Sequence, residues 1–288
     1  MKTVSVIGGD LRALTLAGLL AEDGYEVLAC GFDKDIDTGT LKIAKSLCEA
    51  LDSEVIVLPI PASSDGIYIN APYAEKKLSM DEFFSCIGPS KLVLAGHVSK
   101  KLADRFDDEG VACIDYYNRE ELMVKNAVPT AEGAVEIALS EMPVTLYGSS
   151  ALIIGYGRIG KILTRILLAL GVDVVVSARR LGDMAWIESV GAKAIHTDSI
   201  ASCAGKFDVI FNTVPSIVLG EEALAAMKPE ALVIDLASVP GGVDLEAAKS
   251  LNRRIIWALS LPGKTAPISA GRIIKDTIKN ILTELEVG

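Results

Sequence analysis

The segment Gly155-Tyr156-Gly157-Arg158-Ile159-Gly160 constrains this chain more than any other because of what flanks it. The apolar run Ala151-Leu-Ile-Ile154 precedes it and reads as a buried strand, while Lys161–Leu170 follows with apolar residues at helical spacing. A strand, a glycine-rich turn and a helix in that order make the phosphate turn of a dinucleotide fold. The first glycine permits the tight turn, the second lets the backbone approach a pyrophosphate, and the third lets the helix pack close to the strand. The phosphates then lie at a helix N-terminus, where free amides and the helix dipole favour an anion. A second apolar run, Asp173-Val-Val-Val-Ser177, follows at the spacing of a βαβ unit. Gly155, Gly157, Arg158, Ile159 and Gly160 are therefore expected to cradle a nucleotide.

The end of that second strand bears on which nucleotide. An NAD site usually carries Asp or Glu there, to accept hydrogen bonds from the ribose hydroxyls. This chain instead reads Ser177-Ala-Arg179-Arg180. A small hydroxyl and two guanidiniums suit a 2′-phosphate, because a planar fork of donors matches phosphate oxygens and no carboxylate repels them. NADP is expected in preference to NAD. The competing view is that Arg179 and Arg180 are solvated residues at the start of the next segment.

At 288 residues, half of them hydrophobic, the chain can bury two ordinary cores. No stretch approaches the roughly 18 uncharged apolar residues of a membrane span. The first apolar stretch is broken by Asp10 and Arg12, so neither a span nor a signal peptide is expected, and a cytoplasmic protein is. Five cysteines form no Cys-x-x-Cys pair and read as reduced, mostly buried thiols, with no metal site. A net charge of −10 argues against a nucleic-acid surface, so an anionic substrate would need a local cluster of donors.

Strands alternate with helices in both halves, the pattern of parallel sheets covered on both faces. The expected fold is α/β, with two Rossmann-like doubly wound domains. In the first, strands are expected near Thr3–Ile7, Glu26–Ala29, Glu54–Leu58, Lys91–Ala95 and Val111–Ile114, with helices including Leu11–Glu22 and Ser99–Glu109. In the second, they are expected near Ala151–Ile154, Asp173–Val176, Lys193–Ile195, Asp208–Phe211, Leu232–Asp235 and Ile255–Trp257. Residues 1–125 would form the substrate domain and residues 126–266 the nucleotide domain. Val128-Pro129-Thr130 reads as a helix start at the joint, with proline in the first turn. Ile273, Ile274, Ile278, Ile281, Leu282 and Leu285 recur at helical spacing, so residues 267–288 should hold a helix that packs back on the first domain. A cleft between the carboxyl ends of the two sheets would then take the ligands.

Loops that follow strands carry the candidates for chemistry. In Gly8-Gly9-Asp10-Leu11-Arg12 the amides and Arg12 suit a carboxylate, while Asp10 suits a helix cap, and the two roles are compatible. Ser63 and Ser64 lie in a proline-stiffened loop that reads equally well as a simple turn. His97 ends a predicted strand, where an imidazole can transfer a proton, bond an anion or simply pack. His196 reads as structural or solvent-facing. Thr130 sits at the expected hinge. Thr213, Val214 and Pro215 follow the strand that usually passes the nicotinamide ribose. Ser238 and Lys264 border the nicotinamide end, where an ammonium could neutralise a carboxylate or be merely solvated.

Taken in order, Gly8-Gly-Asp-Leu-Arg12, Pro129-Thr-Ala-Glu-Gly133, Gly155–Gly160, Asn212-Thr-Val-Pro-Ser216, Asp235-Leu-Ala-Ser238 with Pro240-Gly-Gly242, and Leu261-Pro-Gly263 with Ala266-Pro267 resemble the dipicolinate synthase A-subunit family. The likeness covers nearly the whole chain. It implies an NADP-dependent dehydrogenase of sporulation that oxidises dihydrodipicolinate, formed from 4-hydroxy-tetrahydrodipicolinate, to pyridine-2,6-dicarboxylate. Closing an aromatic ring supplies much of the driving force, so the protein mainly positions a small dicarboxylate. Arg12, Ser63, Ser64, His97 and Thr130, with Ser238 and Lys264, form the expected substrate and catalytic set. The family also implies a flavoprotein-like second subunit, B, and a homodimer is compatible with it.

The arrangement further resembles the D-2-hydroxyacid dehydrogenases, where a nucleotide domain is inserted into a substrate domain. That class needs a base, commonly histidine, and an arginine near the late loops. Here those loops carry Ser238, Val239, Lys264 and Thr265, which weighs against a hydroxyacid dehydrogenase. A non-catalytic NADP-binding regulatory or scaffolding subunit is the other alternative.

Overall fold

The computed structural model describes residues 2–88 and 90–285. Its strands are β1 (Thr3–Ile7), β2 (Glu26–Cys30), β3 (Lys42–Ile43), β4 (Val55–Val57), β5 (Leu92–Ala95), β6 (Cys113–Asp115), β7 (Ser150–Ile154), β8 (Asp173–Ala178), β9 (Lys193–His196), β10 (Val209–Asn212), β11 (Leu232–Asp235) and β12 (Arg254–Trp257). Its helices are α1 (Leu11–Glu22), α2 (Leu47–Ala50), α3 (Met80–Cys86), α4 (Lys100–Asp108), α5 (Glu120–Glu141), α6 (Arg158–Ala169), α7 (Leu181–Ser189), α8 (Ile200–Cys203), α9 (Glu221–Ala226), α10 (Leu245–Ser250), α11 (Leu261–Thr265) and α12 (Pro267–Glu284). The chain divides into two compact units, Met1–Lys125 with Ala266–Gly288, and Asn126–Thr265.

Each unit holds one six-stranded parallel sheet. The orders are β3-β2-β1-β4-β5-β6 and β12-β11-β10-β7-β8-β9, so each sheet is doubly wound and reverses its strand order once, between β1 and β4 and between β7 and β10. The central strands are apolar on both faces because helices cover both: Val4, Val6, Val55 and Val57 pack with α1 and α12, while Ile7 and Ile56 face the other core. Helix α12 buries Ile274, Ile278, Ile281 and Leu282 in the first unit, beside Leu16 and Leu20 of α1. Gly271 lets the two helices approach, since a Cβ there would lie 2.7 Å from the Arg12 carbonyl oxygen. Lys275 and Lys279 both donate to Asp23, and hydrogen bonds from these two ammoniums hold its carboxyl below the usual range.

Four local expectations need correction. Helix α5 starts at Glu120 rather than at Val128, with Pro129 in its interior. The ring removes one amide donor, but Thr130 Oγ1 donates to the Asn126 carbonyl one turn back and the helix continues. Strand β6 starts at Cys113 instead of Val111, because the Val111 amide closes the end of α4 on the Phe106 carbonyl. Strand β3 was not expected; its two residues, both exposed, carry no alternation to read. The cysteines are not all free thiols: Cys48 and Cys86 are disulfide-bonded, with Cα atoms 5.3 Å apart where α2 and α3 pack together. Burial raises the thiols of Cys30, to about 11, and Cys113, to about 12.

Candidate functional site

The two units share a strand order, but among the described residues their reversal points differ in the room they leave. In the first unit the turn after β1 is closed by the chain's own atoms. The Gly8 amide donates to Cys30 O and the Gly9 amide to Asn70 O, both at 2.8 Å. Arg12 is buried; its Nε and Nη2 hold the Asp10 carboxylate, and Nη2 also donates to Ile60 O at 2.9 Å, bridging to the loop after β4. What remains between these groups is about 10 Å³, room for a water at most. The Gly8–Arg12 turn, expected to hold a substrate carboxylate, thus carries a guanidinium that is already paired. Its two glycine amides are already engaged, and the Arg12 charge is matched by Asp10.

In the second unit the same position is open. A cavity of about 470 Å³ lies over the turns after β7 and β10 and is lined by Gly155, Gly157, Ser177, Arg179, Arg180, Thr213, Val214 and Pro215. The three glycines do different work. Gly155, at φ +96°, lies so close to the next loop that a Cβ would meet Thr213 Oγ1 at 2.6 Å. Gly160 presses on the Gly155 carbonyl and brings α6 down onto β7. Around Gly157 a Cβ would meet nothing within 4 Å. Packing explains the first and third glycines; the second faces open space, as a backbone that must approach a ligand does.

Gly157 is also the N-cap of α6 and brings no side chain to cap the helix, so the N-cap residue itself supplies no acceptor to the first turn. Arg158 is exposed beside it, while the Ile159 side chain turns inward to the core. At the end of β8, Ser177 is fully buried and its Oγ has no hydrogen-bond partner. Arg179 and Arg180 stand exposed next to it. A helix end without an N-cap side chain, an orphaned hydroxyl and two guanidiniums on one cavity fit a dinucleotide with its adenosine side toward β8.

Sequence reasoning did not place Tyr156, Ala178, Asp183, Thr197, Ser216 or Val218 in that cavity's lining. Asp183 lies in the first turn of α7, a common place for an acid, and its carboxylate adds to burial in pushing the Tyr156 phenol up. It also missed the buried pair that fixes the two late loops. Asn212 and Asp235 end neighbouring strands in register. Asn212 grips the Val214 amide and carbonyl, and Asp235 takes the amides of Ala237 and Gly242. The signal was present as a polar residue closing each of two apolar strands, Val-Ile-Phe-Asn and Leu-Val-Ile-Asp.

The remaining candidates separate. Ser63 Oγ donates to Tyr68 O at 2.6 Å and accepts the Gly66 amide, so it builds a turn; Ser64 beside it is exposed. Thr130 is tied to its own helix, and Thr213 Oγ1 donates to Ile154 O at 2.8 Å while lining the cavity. These hydrogen bonds of Ser63 and Thr130 are thus structural ones. Ser238 is exposed in the loop after β11. Lys264 lies on α11, not in a loop, and opens onto a separate hollow of about 390 Å³ shared with Glu136, Glu141 and Trp257. His196 is exposed and its Nδ1 accepts the Asp198 amide. His97 is exposed at the carboxyl end of β5, with φ +53° and its ring edge-to-face with Tyr117 at 5.4 Å. Among the described residues no cluster of three or more His, Cys, Asp or Glu could hold a metal, and no helix is long and apolar enough to cross a membrane.

Known proteins divide the chain in the same two parts. Residues 3–117 match the N-terminal domain of the dipicolinate synthase A-subunit, and residues 123–243 match the NAD-binding domain of the D-isomer-specific 2-hydroxyacid dehydrogenases. The dipicolinate synthase A-subunit of Bacillus subtilis is 29% identical over 98% of this chain and 96% of its own length. The solved structure of the A-subunit from Bacillus halodurans aligns with TM-score 0.90 at 28% identity, covering 98% of this chain and 97% of the other. The solved Bacillus subtilis A-subunit gives 0.89 at 27%, covering 99% and 97%. Fold, glycine turn and cavity together define an NAD(P)-dependent oxidoreductase of the Rossmann type. Within that class, the chain is similar over nearly its whole length to dipicolinate synthase A-subunits, and residues 3–117 match their N-terminal domain.

Proposed function

We propose that this chain oxidises dihydrodipicolinate, formed by loss of water from 4-hydroxy-tetrahydrodipicolinate, to pyridine-2,6-dicarboxylate with NADP as hydride acceptor. The observation that supports this most is the likeness to two dipicolinate synthase A-subunits over nearly the entire length of each, joined to an open dinucleotide cavity. Bound there, NADP supplies a site that takes a hydride from a ring carbon; a proton leaves the ring as well, and aromatisation makes the step favourable. Ser177, Arg179 and Arg180 favour the 2′-phosphate form, since the strand ends without an acid and Ser177 Oγ has no partner.

The protein's own task is to hold two carboxylates and one ring carbon in place and to receive a proton. In the first unit the candidates are now Ser64 and His97, with the imidazole as proton acceptor; in the second they are Ser238 and Lys264. The likeness carries with it a role in sporulation in the cytoplasm and a flavoprotein-like second subunit, B. A hydroxyacid dehydrogenase would need a histidine in the loops after β11 and β12, where residues 236–242 and 258–266 have none.

The test is to give the chain the condensation product with NADP or NAD, with and without the second subunit. Reduced nicotinamide and dipicolinate absorbance should rise together, and faster with NADP. Nucleotide reduction without dipicolinate would overturn the substrate. No turnover with either nucleotide, even with the second subunit, would favour a non-catalytic nucleotide-binding subunit.

A further inference from the structure

His97 occupies a backbone conformation that side chains rarely adopt, and the surroundings show what imposes it. Gly96 lies flat against the first unit: a Cβ there would fall 2.8 Å from the Tyr116 hydroxyl and 2.9 Å from the Pro59 carbonyl oxygen. Tyr116 is itself fixed, buried with its hydroxyl donating to Leu58 O at 2.8 Å. The chain must therefore turn at residue 97, where φ is +53° and a glycine would be the ordinary choice. One group takes up the amides that this turn exposes. The Asp115 carboxylate accepts the His97 amide on Oδ1 and the Val98 amide on Oδ2, both at 2.9 Å. The same two oxygens accept the Tyr117 amide at 2.9 Å and Asn118 Nδ2 at 3.1 Å.

We propose that Asp115 is the positioning residue for the His97 imidazole. It ends β6 as His97 follows the end of β5, so one carboxylate locks the two neighbouring turns in register. That lock places the Tyr117 ring edge-to-face against the imidazole and leaves the imidazole exposed at the carboxyl end of the sheet. Four donors on two oxygens fill most of what a carboxylate can accept, and no amide or neutral side chain matches it. Asp115 acts through His97 and has no contact with a reacting atom, so its part in catalysis rests on the reading of His97 given above.

Two readouts keep those claims apart. The chain has only two histidines, so its imidazole resonances form two assignable sets. In Asp115→Asn the His97 set should shift while the His196 set stays, whether or not any substrate turns over; an unmoved His97 set overturns the proposal. In steady-state kinetics of the full chain with its second subunit, Asp115→Asn should lower kcat about tenfold or more and leave NADP affinity unchanged. In the His97→Ala background the same substitution should then do nothing further, because the two act as one unit. Effects that multiply in the double variant would overturn the positioning role. Wild-type kinetics in His97→Ala would overturn the catalytic reading of His97, with the resonances still deciding whether Asp115 places the ring. Should Asp115→Asn not fold, Asn118→Asp at the exposed neighbouring position turns a donor into a like charge. It should move the same resonances and lower kcat, and no change in either overturns the proposal.

Discussion

Asn212 Nδ2 donates to Asp235 Oδ1 at 2.8 Å at the buried ends of β10 and β11, and each residue also holds the loop that follows its own strand. The loop after β10 borders the nucleotide cavity, so this pair couples stability to binding. Asp235→Ala would strand one N–H of Asn212 Nδ2 and the amides of Ala237 and Gly242 without an acceptor, at about 1–3 kcal/mol for each buried donor. The expected result is a loss of at least about 3 kcal/mol in denaturant unfolding, with weaker nucleotide binding in the fraction still folded. A near-wild-type midpoint would show that the loops hold themselves.

The glycines of the phosphate turn should part company under substitution. Gly157→Ala adds a methyl in open space at a φ of −80°, so the unfolding temperature should hold while nucleotide affinity falls, and Gly157→Val should abolish binding. Gly160→Ala presses against the Gly155 carbonyl and should lower the unfolding temperature first. Calorimetric titration beside thermal melts separates the two. Normal nucleotide affinity in folded Gly157→Val would move the site elsewhere.

How far such assignments can be read from sequence depends on whether local chemistry or distant chain decides them. The turn at Gly155–Gly160 was legible because strand, glycines and helix lie within one short stretch. The turn at Gly8–Arg12 looked like half of another such site. Its fate was set by residues about 50–60 positions away, since Asn70 takes the Gly9 amide and Ile60 the Arg12 guanidinium, and no local pattern announces that. Helix α5 was misread for a related reason. Pro129 resembles a helix start, but the acids Glu120 and Glu121 begin the helix earlier and the Thr130 hydroxyl supports it past the proline. Cys48 and Cys86 are separated by 38 residues and are brought together only by the packing of α2 on α3.

Nucleotide choice should follow the two guanidiniums at the end of β8. Replacing Arg179 and Arg180 together by alanine should weaken NADP binding by about 1.5–3 kcal/mol for each charge-assisted hydrogen bond to the 2′-phosphate that is removed, and leave NAD binding near its starting value. Titration of both nucleotides measures it. Equal affinities before and after would mean that Asp183, the acid at the same cavity, sets the preference instead.

Asp208 gives the second unit a dependence on acid. Burial by itself would raise its carboxyl, but the Lys228 ammonium at 2.6 Å and the Ser150 amide and hydroxyl outweigh that and leave it below its ordinary 3.8. A group whose folded value is depressed stabilises the fold above its unfolded value, and that stability fades as the pH falls through the folded one. The difference in unfolding temperature between the parent and Asp208→Asn should therefore be full near neutral pH and close below pH 3.8. A difference that persists unchanged to low pH would show that shape, not charge, holds β10 to β7.

Arg12 supplies the sharpest test of the contrast between the two units. A guanidinium free to clamp a substrate carboxylate would, on removal, raise the Michaelis constant and leave stability alone. In the structure Arg12 is instead closed in by Asp10 and the Ile60 carbonyl, so Arg12→Ala should leave the Ile60 carbonyl without this donor and the Asp10 carboxylate with only the residue-12 amide. A fully buried pair broken this way costs about 3–5 kcal/mol. The Asp10 side chain keeps about a third of its exposure, so solvent screening brings the expected loss nearer 1–3 kcal/mol. Chemical denaturation should show that loss in the first unit, with nucleotide affinity in the second unchanged. A Michaelis constant raised tenfold or more with an unchanged unfolding midpoint would return Arg12 to the substrate.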